Sequence, residues 1–230
     1  MKTEIYKKKD GIIKNSIKFY RVNLIYNLSI GISCVIIGSI NKNIPRALFT
    51  GGVLYFWAYF IHIMAHNIPP MTFFHGFHHN HEINATWYAE LIETLVNIFG
   101  SGGLSLAIAN IILEKTTNGG VSILDNNVLL FTTFLYTSFH MINYHLLKVQ
   151  THVKHHENVD TNFGPDIMDI LFNTKQDMDN IEDMNHGVVN VILILSLILI
   201  TKDTKFDIIE NIELVIENIL KNFNYKGSIN

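Results

Sequence analysis

The chain has 230 residues, 48% of them hydrophobic and only 16% charged, with a mean hydropathy of +0.22. A soluble domain carries about 25% charged residues, so this composition favours a small multi-span membrane protein. The net charge of −3 speaks against a nucleic-acid partner, and the one cysteine, Cys34, excludes an intrachain disulfide and a zinc–thiolate site, so a metal here must be held by nitrogen or oxygen.

Residues 1–21 form a basic segment with Lys2, Lys7, Lys8, Lys9, Lys14, Lys18 and Arg21. An apolar run follows from Val22 to Ile40, about long enough to cross a bilayer core of roughly 30 Å as a helix. It is longer than a signal-peptide core and no A-x-A site follows, so it reads as a retained span. A polar connector, Asn41–Arg46, leads to a second run, Ala47 to Met64, rich in aromatics and ending in histidines. The third run, Leu91 to Leu113, is interrupted by Glu93, Asn97 and Asn110. The fourth, Val128 to Leu147, again ends in histidines. A fifth, Val188 to Ile200, is very apolar but short for a crossing, so a short, re-entrant or interfacial helix is expected. From Phe206 to Phe223, apolar residues recur at helical spacing between Glu210, Glu213, Glu217 and Lys221, which predicts an amphipathic helix.

The expected fold is therefore all-α: a polytopic membrane helical bundle of about four spans. It divides into a basic cytoplasmic N-terminal segment (1–21), a membrane-embedded domain (22–200) and an amphipathic tail (201–230). The basic N-terminus places that end in the cytoplasm by the positive-inside rule. Two spans then return the chain to the same side at His62–His81, and two more at His140–His156. The Asn84-Ala-Thr86 sequon would face the cytoplasm and stay unmodified.

The histidines carry the chemistry. Six of the twelve lie between His62 and His81. His62 and His66 are one helical turn apart, and His75, His78 and His79 share a helical face as H-x-x-H-H. His152, His155 and His156 repeat that pattern. His140 and His145 are five apart, about 140° off on an ideal helix, whereas His145, His152 and His156 would line one stripe if their helix continued past Leu147. Ten such histidines are too many for one ion and enough for two, and imidazole suits zinc, copper, iron and nickel. His81 reads as an interfacial polar residue. Pro69 and Pro70 break the chain between the first two boxes and let both face one centre.

These residues carry a resemblance. His62-x-x-x-His66, His75-x-x-His78-His79, His140-x-x-x-x-His145 and His152-x-x-His155-His156 resemble the histidine boxes of the fatty acid hydroxylase/sterol desaturase superfamily. Asn162-Phe163-Gly164, Asp169 and Leu171-Phe172-Asn173-Thr174 are similar to that family's N-[YF]-G … W-D-x-x-F-G-T segment, with Met168 in place of the usual Trp and Asn173 in place of the usual Gly. The likeness spans roughly residues 45–175. It implies a membrane enzyme with two iron ions (zinc can substitute) on the cytoplasmic face, using O₂ to hydroxylate or desaturate an unactivated C–H bond of a lipid. It implies as ligands His62, His66, His75, His78, His79, His140, His145, His152, His155 and His156, with His186 a candidate extra ligand. It also implies an external electron donor, such as cytochrome b5 and its NAD(P)H reductase, since no H-P-G-G haem segment is present. In a eukaryote the location would be endoplasmic-reticulum-like. Candidate carboxylates to orient the imidazoles are Glu82, Glu90, Glu93, Asp166 and Asp169. Phe56, Trp57, Phe60, Phe131 and Phe134 are expected to line an apolar slot for the lipid chain.

Two other readings rank lower. Thr86 and Glu90-Leu-Ile-Glu93-Thr94 after His78-His79 resemble the Kua-type plasmanylethanolamine desaturases. A non-enzymatic, histidine-rich membrane metal-binding or transport protein would place histidines along a pathway within the spans, and here they cluster at span ends.

Overall fold

The computed structural model describes residues 2–80, 82–83, 86–117 and 122–227, with side chains described within 11–222. His81 and Asn84 of the sequon lie outside the described residues. Every regular element among the described residues is helical.

α1 (Lys2–Val22) and α2 (Leu24–Ile40) meet at Asn23 with a 76° bend. A bend frees backbone groups, which an apolar setting cannot leave unpaired. Asn185 covers them: its Nδ2 donates to Val22 O at 2.5 Å and its Oδ1 accepts from Tyr26 N at 3.1 Å. Asn23 reciprocates, donating to Glu182 O and accepting from Met184 N. The basic N-terminal segment is thus a helix, and Phe19 on it is buried against the same apolar cluster as Tyr59, Ile167 and Met168.

α3 (Ile44–Asn67) begins where the Asn43 side chain accepts from Arg46 N, with Pro45 in the first turn. Its 24 residues extend about 36 Å. It ends because Pro69 and Pro70 follow, and proline suits a new first turn rather than a helix interior. α4 (Pro69–His79) starts there. α5 (Trp87–Val96) runs into a π-helical turn at Asn97–Ser101, and α6 (Leu104–Thr116) leaves at 42° to it. At that junction a Cβ on Gly102 would lie 2.7 Å from Asn97 O and 3.0 Å from Thr133 Cα, so glycine lets the next long helix pack close. That helix, α7 (Asn126–His140), is capped by Asp125 and continues as a π-helical turn, Met141–Leu146. α8 (Gln150–Glu157), α9 (Asp166–Phe172), α10 (Val188–Thr201) and α11 (Ile208–Gly227) complete the chain.

α7 is the centre of the bundle: Val128, Leu129 and Phe131 have no exposed surface, and α3, α6 and α10 pack around it. The outer faces are apolar. Leu24, Ile25, Leu28 and Ile32 of α2, Leu48, Phe49 and Phe56 of α3, and Ile192, Leu193 and Ile200 of α10 all point outward. Apolar patches of that size are what a bilayer covers, and this is an integral membrane bundle. Among the described residues, α3 alone is long and apolar enough to cross; counting each bent pair, α1/α2 and α5/α6, as one span raises the number to three, against the four expected. The fifth apolar run forms a short helix, as its length predicts. The amphipathic tail forms α11, with Ile209 and Ile216 buried and Lys115 paired to Glu217 at 2.7 Å.

The two ends of the bundle differ. At one, Asn41 donates to the Asp125 carboxylate and Arg46 to Ser122 O. At the other, the ends of α3 and α7 meet α4, α5, α8 and α9, and the histidines gather there.

Candidate metal centre

Five histidines form the first group. His62 and His66 come from α3, His75 and His79 from α4, and His155 from α8; one nitrogen of each lies within 4.8 Å of all the others. His66 Nε2 is 3.1 Å from both His75 Nε2 and His155 Nε2, and His79 Nε2 is 3.0 Å from His75 Nε2. A second group lies beside it, joined by His79 stacked on His156. His78, His152 and His156 bring their Nε2 atoms within 2.8–3.0 Å of one another. The two H-x-x-H-H boxes are thus shared between groups: each gives residues to both.

Glu93 sits behind the second group, nearly fully buried. Its Oε2 pairs with His145 Nε2 at 2.9 Å. His78 Nδ1 lies 2.9 Å from Oε2 and His140 Nδ1 2.8 Å from Oε1. Those last two are close without alignment: the ring N–H directions miss the oxygens, leaving His78 Nδ1, His140 Nδ1 and Glu93 Oε1 without a hydrogen bond. His78, Glu93 and His140 are therefore a third set able to hold a cation.

The five-residue spacing of His140 and His145 has a structural reason. The backbone after His140 is π-helical, with Leu147 N donating to Ile142 O, and a π turn brings i and i+5 to one side. Both rings therefore reach Glu93. The helical stripe of His145, His152 and His156 does not form, because the chain breaks at Lys148, where φ is +50°. His145 faces Glu93 and lies outside the three sets. His186 also lies outside them, its Nε2 on Asn143 Oδ1 at 2.8 Å and its ring stacked on Phe139.

The loop after α8 sets the tautomers. Thr161 O pairs with His155 Nδ1 and Phe163 O with His62 Nδ1, both at 2.6 Å. A carbonyl accepts only from N–H, so each Nε2 is left as a lone pair directed into the group. Asp169 holds this loop: its carboxylate accepts from Phe163 N, Gly164 N and Thr174 Oγ1. Burial pushes its carboxyl up to about 6 despite those donors. Asn173, in the left-handed region at φ +57°, ends α9 where such a backbone suits Gly or Asn. Met168 fills a fully buried position under the loop. Asp166 instead pairs with Lys175 at 2.6 Å, both buried, and accepts from Glu182 N. Glu82 and Glu90 are exposed.

The donor set fits metal ions. Lone pairs from neutral imidazoles repel unless something positive lies between them, and buried His62 Nε2 has no protein partner. Nitrogens at neighbouring positions around one ion with bonds of about 2.1 Å stand roughly 3 Å apart, and three pairs in the first group lie at 3.0–3.1 Å. The rings are also poised to stay neutral. Burial, reinforced by neighbouring imidazoles, pushes His75 down to about 2 and lowers His79 and His152; burial pushes His155 down to about 4.

A family model for fatty acid hydroxylases matches residues 47–174, which contain every histidine of the three sets. The chain belongs to the fatty acid hydroxylase family. It is thus an oxidoreductase of the membrane hydroxylase/desaturase type acting on lipids. No curated protein and no solved structure matches it.

Two cavities reach this hydroxylase-family centre. One, of about 280 Å³, lies between α3, α4 and α5 and touches His62, His75 and His140. The other, about 120 Å³, lies inside the bundle between α2, α3 and α7; Leu54, Leu135 and Phe139 line its apolar part and His140 and His152 one edge. Tyr144 forms that edge too, its ring stacked on His152 at 3.6 Å. The expected slot residues lie elsewhere: Phe56, Trp57, Phe60, Phe131 and Phe134 line neither cavity. Phe56 and Phe60 face outward, Phe131 is core, and Trp57 donates to Gly100 O. Sequence periodicity marks an aromatic as apolar but not which side of a lipid-surrounded helix it faces.

Proposed function

We propose that this protein hydroxylates, in preference to desaturating, an unactivated C–H bond of a membrane lipid, using O₂ and two iron ions. The observation that carries this is the convergence of nine histidines from α3, α4, α7 and α8 into three adjoining sets that face an apolar cavity. His62, His66, His75, His79 and His155 would hold one ion. His78, His152 and His156 would hold the other, with His140 and Glu93 beside them. Bound there, the ions would supply O₂ activation and the oxidising power for C–H cleavage. Zinc would also accept these nitrogens; the family's hydroxylase chemistry is what favours a redox metal here.

The chain's own residues do the rest. Phe163 and Thr161 carbonyls hold protons on His62 Nδ1 and His155 Nδ1, which keeps the opposite nitrogens unprotonated. Glu93 gathers His78, His140 and His145 and offsets positive charge in a buried place. Leu54, Leu135 and Phe139 exclude water from the inner cavity and orient an alkyl chain toward the His140–His152 edge. Electrons come from a separate donor such as cytochrome b5 with its NAD(P)H reductase. The histidine end faces the cytoplasm, by the basic N-terminal segment, and in a eukaryotic cell the membrane is endoplasmic-reticulum-like.

The test is metal content. Iron-reconstituted protein is expected to hold about two ions per chain, and His79→Ala to lose at least one of them together with activity. Full metal and activity in His79→Ala would overturn the assignment.

A further inference from the structure

The inner cavity is apolar on most sides, but one wall is polar, and two of its residues, Tyr26 and Glu182, come from outside the matched family segment. Glu182, in the stretch between α9 and α10, lines it together with Tyr26, Asn143 and Tyr144. Glu182 is held from several directions. Its backbone N donates to Asp166 and its backbone O accepts from Asn23 at the α1/α2 bend. Its Oε1 accepts from Asn143 Nδ2 at 2.6 Å, and Asn143 is itself fixed by His186.

Three polar atoms on this wall have no protein partner. Glu182 Oε2, Tyr26 Oη and Tyr144 Oη make no hydrogen bond among the described residues. None is among the fully enclosed unsatisfied atoms, and all three residues line the cavity. Leaving a carboxylate oxygen and two phenols unpaired next to Leu54, Leu135 and Phe139 is costly unless something binds there. The three together offer one strong acceptor and two groups that donate or accept.

The wall's charge narrows the ligand. Glu182 and Asp166 lie on this side, and Lys175 is already engaged by Asp166 at 2.6 Å, so an anionic carboxylate or phosphate head finds no lysine or arginine on the cavity lining to pair with. Burial and the neighbouring Asp166 push the Glu182 carboxyl up to about 7, which removes much of its pull on an ammonium group. A hydroxyl fits: it donates to a Glu182 oxygen and accepts from a tyrosine O–H.

We propose that Glu182, Tyr26 and Tyr144 form a seat for the free hydroxyl group of a neutral lipid whose first few methylene groups enter the inner cavity. The seat shares its cavity with the His140–His152 edge, so it selects hydroxyl-bearing lipids over free fatty acids. The inference rests on the cavity being the lipid slot of the proposed oxidase, but not on any oxidation taking place.

The experiment therefore measures binding without turnover. Purified protein, as isolated and with no reductant, is titrated with radiolabelled 1-hexadecanol in a scintillation-proximity assay; 1-methoxyhexadecane, hexadecanoic acid and hexadecylamine compete. The alcohol is expected to bind roughly tenfold to a hundredfold more tightly than its methyl ether, the span of one hydrogen bond to a carboxyl group, and more tightly than the acid or the amine. Glu182→Leu is expected to erase the alcohol preference while the ether binds as before. Glu182→Gln, which keeps an acceptor oxygen, retains part of it. Equal affinity for alcohol and ether in the unaltered protein would overturn the seat, as would tighter binding of the acid or the amine; this arm stands even where Glu182→Leu fails to fold. An alcohol preference without any lipid oxidation would refute the proposed oxidase and leave the seat standing. Oxidation without the preference would do the reverse.

Discussion

Glu93→Gln is the sharpest perturbation of the histidine site, because the side chain keeps its shape and loses its charge. The carboxylate faces three imidazoles: Oε2 with His145 Nε2 and His78 Nδ1, both at 2.9 Å, and Oε1 with His140 Nδ1 at 2.8 Å. An amide has one oxygen, so whichever way Gln turns, at least one of these nitrogens meets an NH₂ group. The charged contact with His78 and His140 is on the scale of one interaction with a charged partner, about 1.5–3 kcal/mol. At about 1.4 kcal/mol per tenfold, the second ion should bind about tenfold to a hundredfold more weakly, in line with losing a group that orients or completes a metal site. The first group has no carboxylate and should be untouched. Metal analysis after dialysis against a graded chelator is expected to show loss of one ion per chain at a concentration where the unaltered protein keeps two. Two ions held with unchanged affinity would refute the placement of Glu93 at the second group.

Other outcomes follow from the same geometry. Asp169→Ala orphans Phe163 N, Gly164 N and Thr174 Oγ1; a loss of about 3–5 kcal/mol should appear as a large fall in thermal midpoint in detergent, with weaker metal binding because Phe163 O also holds His62. Asn173→Gly should be neutral at φ +57°, whereas Asn173→Val should cost about 1–2 kcal/mol; equal midpoints would contradict the left-handed turn. Glu182 has a carboxyl raised from 4.5 to about 7, so the folded state binds the extra proton and its contribution to stability falls as pH rises between those values. The difference in midpoint between the unaltered protein and Glu182→Gln should therefore shift against the former from pH 5 to pH 8, by about 2 kcal/mol or less, and a flat difference would show that Glu182 is not buried as described.

Much of the site was legible in the chain because helical spacing constrains direction. H-x-x-H-H puts three imidazoles on one face, and Pro69 and Pro70 announce the break that turns α4 back toward α3. The left-handed Asn173 explains why a position usually held by Gly accepts Asn. What periodicity missed has physical causes. A five-residue spacing reads as divergent on an α-helix and convergent on a π turn, and nothing in Met141–Leu146 signals the difference. Glu93 reads as a candidate to orient imidazoles, but its three partners could not be named, since they come from α4, α7 and the turn after it, far apart in sequence. Aromatics on α3 face outward because lipid, unlike water, accepts them, so Phe56 and Phe60 could not be told from cavity residues by composition. The polar wall at Glu182 depends on the bend at Asn23, where Asn23 bonds the backbone of Glu182 and Met184 and Asn185 bonds that of Val22 and Tyr26, segments far apart in sequence.

The most direct test of the account is lipid mass spectrometry of a host expressing this chain beside one expressing His79→Ala. The account predicts a lipid carrying one added oxygen only with the unaltered chain; a lipid lacking two hydrogens would instead assign desaturation. Identical lipid profiles, with both proteins folded in the membrane and a competent electron donor present, would contradict it.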